Sequence, residues 1–287
     1  MQRVFITGAS SGIGAALARR YAEEDACVAL VGRRLPELQA LQESLPNAPQ
    51  HRIYVLDVTD HAALARAAED FMATYDGIDV VIANAGISQG TLTEYVEDLA
   101  VFERIVATNL AATVATFTPF LAVMKQQQLQ VRPPTHPTRL VGIASVAGIR
   151  GLPGASAYSA SKAAVISYCE SLRVELRGTG IGVVTIVPGY IDTPMTQVNH
   201  YKMPFLMRSD RFAARAVDVI RAGRSYRVIP WQMGLVAKLL RMLPNFLYDW
   251  ALSKAPHKAR VAKPAPAPDV RGAKRAASAS DPVAPGQ

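Results

Sequence analysis

Cysteine is scarce in this chain. Cys27 and Cys169 are the only two in 287 residues, too few for a disulfide framework or a four-cysteine zinc site. Both sit inside apolar segments and read as buried thiols in a reducing compartment, and no metal site is expected. No run of about 18 uninterrupted apolar residues occurs, so no spanning helix is expected. Met1-Gln2-Arg3 leads at once into Val4-Phe5-Ile6 and a glycine-rich turn, not into the apolar region and cleavage site of a signal peptide. These absences predict a cytoplasmic protein. Glycine and proline, nineteen each, are at ordinary fractions, which excludes collagen-like and low-complexity readings. A composition that is 50% hydrophobic excludes a wholly disordered chain.

Positive charge is in excess but unevenly placed. Of the net +8, residues 254–287 supply +5, from seven Lys/Arg against two acids. The basic character therefore belongs mostly to the last segment and says little about the body. No aromatic platform interleaves with those lysines and arginines, so nucleic acid is not an expected partner. The segment holds ten Ala and six Pro and reads as a disordered tail, 253–287.

The rest of the chain alternates short apolar runs with helical patterns. The runs are 3–7, 27–31, 53–56, 79–83, 139–144 and 181–187. They are rich in Val and Ile and apolar throughout, which fits strands covered on both faces. Helical segments fall near 13–24, 35–45, 61–75, 99–127 and 157–177. This alternation predicts an α/β fold: a Rossmann-like doubly wound parallel β-sheet flanked by helices, one domain over 1–230. Residues 128–138 carry three prolines and read as an enlarged surface loop.

Gly8, Gly12 and Gly14 lie between the first strand and first helix, where this architecture binds dinucleotide phosphates. Gly8 allows the turn, Gly12 admits pyrophosphate to the backbone, and Gly14 lets the helix meet the strand. The helix beginning at Ile13 offers free N–H groups to an anion, and Ser10 and Ser11 add hydroxyls. The second strand ends in Gly32-Arg33-Arg34. It lacks the acid that accepts from a ribose 2′-hydroxyl. Arg33 and Arg34 can clamp a 2′-phosphate instead, which predicts NADP(H) over NAD(H). A pair of solvated helix-start charges is the alternative.

Tyr158 and Lys162 stand four residues apart in a segment of good helix formers and project from one face. An ammonium beside a phenol favours phenolate and lowers its pKa, so Tyr158 can pass a proton to or from a carbonyl oxygen. Surface pairs with this spacing are common, and the neighbours decide. Ser145 ends the strand run at 139–144, where sheet carboxyl ends meet a ligand crevice. Asn109 sits inside the long helix 99–127, an unfavourable interior residue that marks either a local helix distortion with bound water or a polar surface position.

Thr7 through Gly14, Asn84-Ala85-Gly86, Asn109, Ser145, Tyr158-x-x-x-Lys162 and Pro188-Gly189, in that order, resemble the short-chain dehydrogenase/reductase family, in its short single-domain subgroup. The resemblance spans about residues 2–230. It implies Tyr158 as acid/base, with Lys162 lowering its pKa and holding the nicotinamide ribose. It implies Ser145 as the residue that positions the carbonyl, and Asn109 as holder of a water that relays protons through Lys162. It further implies Asp57 and Val58 at the adenine, and Asn84, Ala85 and Gly86 stabilising the sheet beside the cofactor. Pro188, Gly189, Ile191 and Thr193 would hold the nicotinamide end. Ala83 departs from the second Asn many members carry before Asn84. The implied activity is NADPH-dependent interconversion of a ketone or aldehyde and an alcohol, in a homodimer or homotetramer. A non-catalytic NADP(H)-binding sensor, or a membrane-associated regulatory protein of the same fold, is the alternative; Tyr158, Lys162, Ser145 and Asn109, all present, argue against it.

Residues 194–215 follow the Pro-Gly turn, and their stretch 194–207 holds three Met, a Phe and a Leu. They read either as an apolar wall for a hydrophobic substrate or as packing against the body. Residues 231–252 form an amphipathic extension with a polar stripe of Lys238, Arg241, Asn245 and Asp249, and Pro244 kinks it or starts a second helix. Peripheral contact with the inner membrane face, a lid, and a subunit contact remain open.

Overall fold

Val- and Ile-rich runs form strands because branched side chains suit a pleated surface buried on both sides. The computed structural model describes residues 1–130, 136–199 and 201–253, with Lys258 and Arg260. It contains β1 (Arg3–Thr7), β2 (Cys27–Gly32), β3 (Arg52–Val55), β4 (Val80–Ala83), β5 (Arg139–Ile143) and β6 (Gly182–Pro188), then a short ribbon of β7 (Ile191–Asp192) and β8 (Met207–Arg208), and β9 (Tyr226–Ile229). Six of these and β9 make one seven-stranded sheet in the order β3-β2-β1-β4-β5-β6-β9, every pair parallel. The order reverses between β1 and β4, so their carboxyl ends diverge and open a crevice there. The expected doubly wound α/β architecture is present.

The helices are α1 (Gly12–Ala22), α2 (Leu35–Glu43), α3 (His61–Tyr75), α4 (Asp98–Val106), α5 (Ala112–Phe117), α6 (Leu121–Gln130), α7 (Ser156–Glu175), α8 (Pro194–Gln197), α9 (Ser209–Arg221), α10 (Trp231–Met242) and α11 (Asn245–Leu252). They cover both sheet faces. On one face, Val4, Ile6, Val28 and Leu30 meet Leu17 of α1 and Phe212 of α9. On the other, Phe5, Val81 and Leu140 meet Phe71 of α3, Phe120 and Met124. Period-two alternation along β1 thus sends successive side chains into separate cores. Phe5 is the centre of the second, with edge contacts to Phe71 at 5.9 Å and to Phe120 at 4.9 Å between ring centroids.

Several expectations change. Residues 194–215, read as an apolar wall or as packing against the body, do pack in part. They contain β8 and most of α9, whose Phe212, Ala216, Val217 and Ile220 form a buried stripe against α1. The helix ahead of the prolines runs through Gln130, because proline restrains itself and the residue before it and the first is Pro133. The rest of that expected loop falls partly on 131–135, outside the described residues. The edge strand β9 has no counterpart among the apolar runs, since Tyr226 and Arg227 are exposed and it gains its order from bonding to β6. The helical stretch Asp98–Leu129 contains an 18-residue window of mean hydropathy 1.5, enough by length and composition alone to cross a membrane, where no such helix was expected. It buries Phe117, Phe120 and Met124 in the core. Of the expected tail, only Ser253, Lys258 and Arg260 are among the described residues. Arg260 holds the Asp98 carboxylate through Nε and Nη2 at 2.7 and 3.2 Å and lies 3.5 Å over the Tyr95 ring.

Replacing Phe5 with Ala removes the ring on which Phe71 and Phe120 rest. The expected loss is about 3–5 kcal/mol, read as a lower urea midpoint at unchanged slope.

Candidate active site

The crevice begins with a polar tie between the diverging strands. Buried Thr7, at the end of β1, accepts at Oγ1 from the backbone N–H groups of Asn84 and Ala85, at 3.1 and 3.2 Å. Asn84 answers by donating from Nδ2 to the carbonyls of Thr7 and Gly8, at 2.9 and 3.2 Å. These bonds fix the turn that follows β1 against the loop that follows β4. Gly14 lies where α1 crosses that turn. A Cβ there would stand 2.2 Å from the Gly8 carbonyl oxygen and 2.6 Å from Asn84 Nδ2, so only glycine lets the helix N-terminus sit over the turn. Gly8 and Gly12 hold left-handed φ of 70° and 57°, as the phosphate-cradle reading requires.

One cleft of about 410 Å³ opens above this turn. Gly8, Ser10, Ser11, Gly12 and Ile13 line one end, with Arg33, Arg34, Asp57 and Val58; Asn84, Ala85 and Gly86 line its floor. Ser145, Tyr158, Lys162, Pro188, Gly189, Ile191 and Thr193 line the other end. Of the residues singled out from sequence, Gly14 and Asn109 stand behind the wall, not on it. The cleft also takes in Ile87 and Thr108, which carried no sequence signal of their own, together with Met195 of the segment read as a possible apolar wall, and Thr196. Thr196 had one readable cue: with Thr193 it forms the capping box that starts α8.

At the β2 end, the Arg34 guanidinium donates to Ser10 Oγ and Ser11 Oγ, at 3.0 and 2.9 Å, and pairs with Glu37 at 3.1 Å. Arg33 reaches Asp57 at 3.4 Å. Both arginines are largely exposed, so these pairs are weak and exchangeable. The Asp57 carboxyl is held below its ordinary pKa, first by the Thr59 backbone N–H.

The catalytic candidates come from three elements. Ser145 follows β5 and accepts at Oγ from the Ala147 N–H at 3.2 Å. Tyr158 and Lys162 lie one turn apart on α7, and both face the cleft. Lys162 is buried. Its Nζ donates to the Ile143 carbonyl at 2.8 Å and stands 5.9 Å from the centre of the Tyr158 ring. Burial pulls its pKa down to about 8. The phenol departs from the sequence expectation: burial pushes it above its ordinary value, and the counterweight is the Ser145 hydroxyl, not Lys162. The reason is geometric, since the ammonium is drawn to Ile143 and a phenolate would be poorly solvated there.

Asn109 lies in a single π-helical turn, Ala107–Ala111, between α4 and α5. The expected helix distortion is therefore present. The side chain is buried, accepting from Ile87 N–H at 2.8 Å and donating to the Ile87 carbonyl and Ser161 Oγ, each at 3.0 Å. Asn109 and Lys162 meet across Gly86, where a Cβ would stand 3.2 Å from Asn109 Oδ1 and 3.4 Å from Lys162 Nζ.

Comparison with known proteins agrees with this geometry. A family profile described as short chain dehydrogenase matches residues 2–203. An uncharacterized oxidoreductase of Myxococcus xanthus is 38% identical over 251 residues, 86% of this chain and 94% of its own length. The 11-beta-hydroxysteroid dehydrogenase 1A of Arabidopsis thaliana is 32% identical over 200 residues, covering 69% of this chain and 54% of its own. The fold matches the crystal structure of a 3-ketoacyl-(acyl-carrier-protein) reductase from Brucella melitensis complexed with NADH. That match has a TM-score of 0.72 at 24% identity and covers 79% of this chain and 96% of the other. The chain belongs to the short-chain dehydrogenase/reductase family and is an oxidoreductase acting on CH–OH groups.

Proposed function

We propose that this protein is an NADPH-dependent carbonyl reductase, able to run in reverse as an alcohol dehydrogenase, acting on a hydrophobic substrate. The observation that carries the reading is the meeting of Ser145, Tyr158 and Lys162 with the glycine turn in one cleft. The residues fit a dinucleotide. The turn leaves no room for a Cβ at Gly14, and α1 directs its free N–H groups into the cleft. Arg33, Arg34, Ser10 and Ser11 gather where a 2′-phosphate would lie, and Gly32 supplies no acid to oppose it.

When bound, the nicotinamide supplies the hydride for reduction and accepts it for oxidation. Tyr158 gives the substrate oxygen its proton, and its raised pKa keeps that proton available at neutral pH. The Ser145 hydroxyl holds the same oxygen and steadies the charge that develops on it. Lys162 stands ready to replace the proton, and Asn109, across Gly86 from it, belongs to that relay.

Met195, Ile191 and Pro194 line the substrate side, with Val198, Phe205 and Leu206 exposed farther along the same segment; these support an apolar substrate. The Arabidopsis relative, named for a hydroxysteroid, leans the same way. Exposed Val96, Leu99 and Phe102 at α4 support assembly as a homodimer or homotetramer through the long helices. Two free, buried cysteines fit a reducing cytoplasm.

Replacing Tyr158 with Phe should lower kcat by about 10²- to 10⁴-fold while nucleotide affinity, measured by calorimetry, stays within error; retained turnover would remove Tyr158 from the role of acid/base. Replacing Arg33 and Arg34 together with Ala should raise KM for NADPH by about ten- to a hundredfold and leave NADH nearly untouched. An unchanged ratio of the two would end the claim of preference. In the reduction direction, kcat/KM should be level at neutral pH and fall as pH rises through about 8, where Lys162 loses its proton. A profile that stays flat well above that point would exclude Lys162 from proton supply.

A further inference from the structure

Helices α10 and α11 rest on the protein through Met233, Ala237 and Tyr248, with bonds from the body to the end of α10. The Arg150 guanidinium, from the loop between Ser145 and Tyr158, donates to the carbonyls of Leu240, Arg241 and Leu243 at 2.7–3.1 Å. It also donates to Asn245 Oδ1 at 3.0 Å and lies 4.0 Å over the Tyr248 ring. Arg241 answers by donating to the Ile149 carbonyl at 3.2 Å. The bonds satisfy the open C-terminal carbonyls of α10. They also tie Arg241 and Asn245, half of the sequence's polar stripe and both exposed, to the body at its rim.

Much of the apolar side faces outward. Trp231 and Leu239 are each 62% exposed, Phe246 70%, and Met242 and Trp250 80%. Only Met233, Ala237 and Tyr248 of the two helices are buried. A helix that serves a core buries its apolar arc, and an exposed patch of this extent marks an interaction site.

Charge identifies the partner. At the base of α10, a cavity of about 280 Å³ joins Pro230 and Gln232, the neighbours of Trp231, to Arg208, Arg211 and Arg215 and to exposed Phe205 and Leu206. Arg208 pairs with Asp210 at 2.7 Å. Among the described residues, Arg211 and Arg215 have no carboxylate partner. The sequence that continues past α11 adds +5 over 254–287. A two-fold pairing of this face with a second copy would set these like charges against each other. An anionic lipid surface complements them, and tryptophans suit the boundary between headgroups and acyl chains.

We propose that the outer face of α10 and α11, with Arg211 and Arg215 beside it, docks on an anionic phospholipid bilayer. The docking does not rest on the activity proposed above. It would hold the substrate side of the cleft at the membrane, since α10 also packs on the Pro188-Gly189 turn: a Cβ at Gly189 would stand 2.7 Å from Met233 Cγ.

The chain contains two tryptophans, and both lie on this face. Their emission should therefore shift to the blue when the full-length protein meets vesicles of mixed phosphatidylcholine and phosphatidylglycerol. Phosphatidylcholine alone should give a much smaller shift, and added salt should weaken the effect. The double variant Met242→Ser/Phe246→Ser keeps both tryptophans and should lose about tenfold or more in vesicle partition. Arg211→Glu/Arg215→Glu should lose severalfold and flatten the salt dependence. Each variant should retain the wild-type melting temperature and nucleotide affinity. Three results would overturn the proposal: no shift with the mixed vesicles, partition unchanged in Met242→Ser/Phe246→Ser, or a dimer that this variant splits while the wild type ignores lipid.

Discussion

The reciprocal bonds between Thr7 and Asn84 hold together the point on which the site depends. β1 and β4 part at their carboxyl ends, and parting exposes backbone groups that must find partners. The Thr7 hydroxyl serves two of them, and the Asn84 amide serves two carbonyls on the opposite side. The glycine turn is then fixed to a rigid floor instead of hanging from one strand. Gly14 completes the arrangement, because α1 can approach the Gly8 carbonyl only where no Cβ intervenes. Breaking this tie would leave the cradle glycines in place but free to drift, and a cradle displaced by an ångström loses its catalytic alignment.

Much of this was legible in the chain, for physical reasons that differ by residue. The glycines of the turn and the Tyr158–Lys162 spacing show themselves because a local rule, left-handed φ or helical periodicity, forces the residue type. The strands β1, β2, β4, β5 and β6 show themselves because burial on both faces demands unbroken apolar runs, whereas β3 at the sheet edge keeps an apolar run with Val55 exposed. What escaped is set by tertiary contact. β9 is half exposed and is ordered by β6, so its sequence carries no strand pattern of its own. Ile87 and Thr108 enter the cleft only because Asn109 draws the loop after β4 onto the long helix. Arg150 gave no signal at all, since its partners are carbonyls about ninety residues away.

Lys162 shows why spacing alone misjudged the electrostatics. One helical turn places an ammonium near a phenol, and the pair taken by itself predicts a lowered phenol pKa. Burial acts on both groups at once and opposes the charged form of each. The ammonium is eased down to about 8 and turned to the Ile143 carbonyl, while the phenol is pushed up and answered by Ser145. Both residues therefore keep their protons at neutral pH, and Lys162 is the stronger acid of the two. A tyrosine that keeps its proton suits reduction, where the substrate oxygen must receive one.

The amphipathic extension follows from the same economy of polar groups. α10 ends at Pro244, which cannot continue it, and its last carbonyls need donors. Arg150 provides them from within the loop that joins Ser145 to Tyr158, so the extension is anchored beside the cleft and not merely appended to the chain. The bonds seat the helix end on the body, Met233, Ala237 and Tyr248 face inward, and much of the apolar arc is left outside. An exposed apolar arc is costly in water and persists where something else covers it. The residues that would meet that cover sit on a helix whose Met233 packs against Gly189, so the exposed arc and the Ser145–Tyr158 end of the cleft share one edge of the protein.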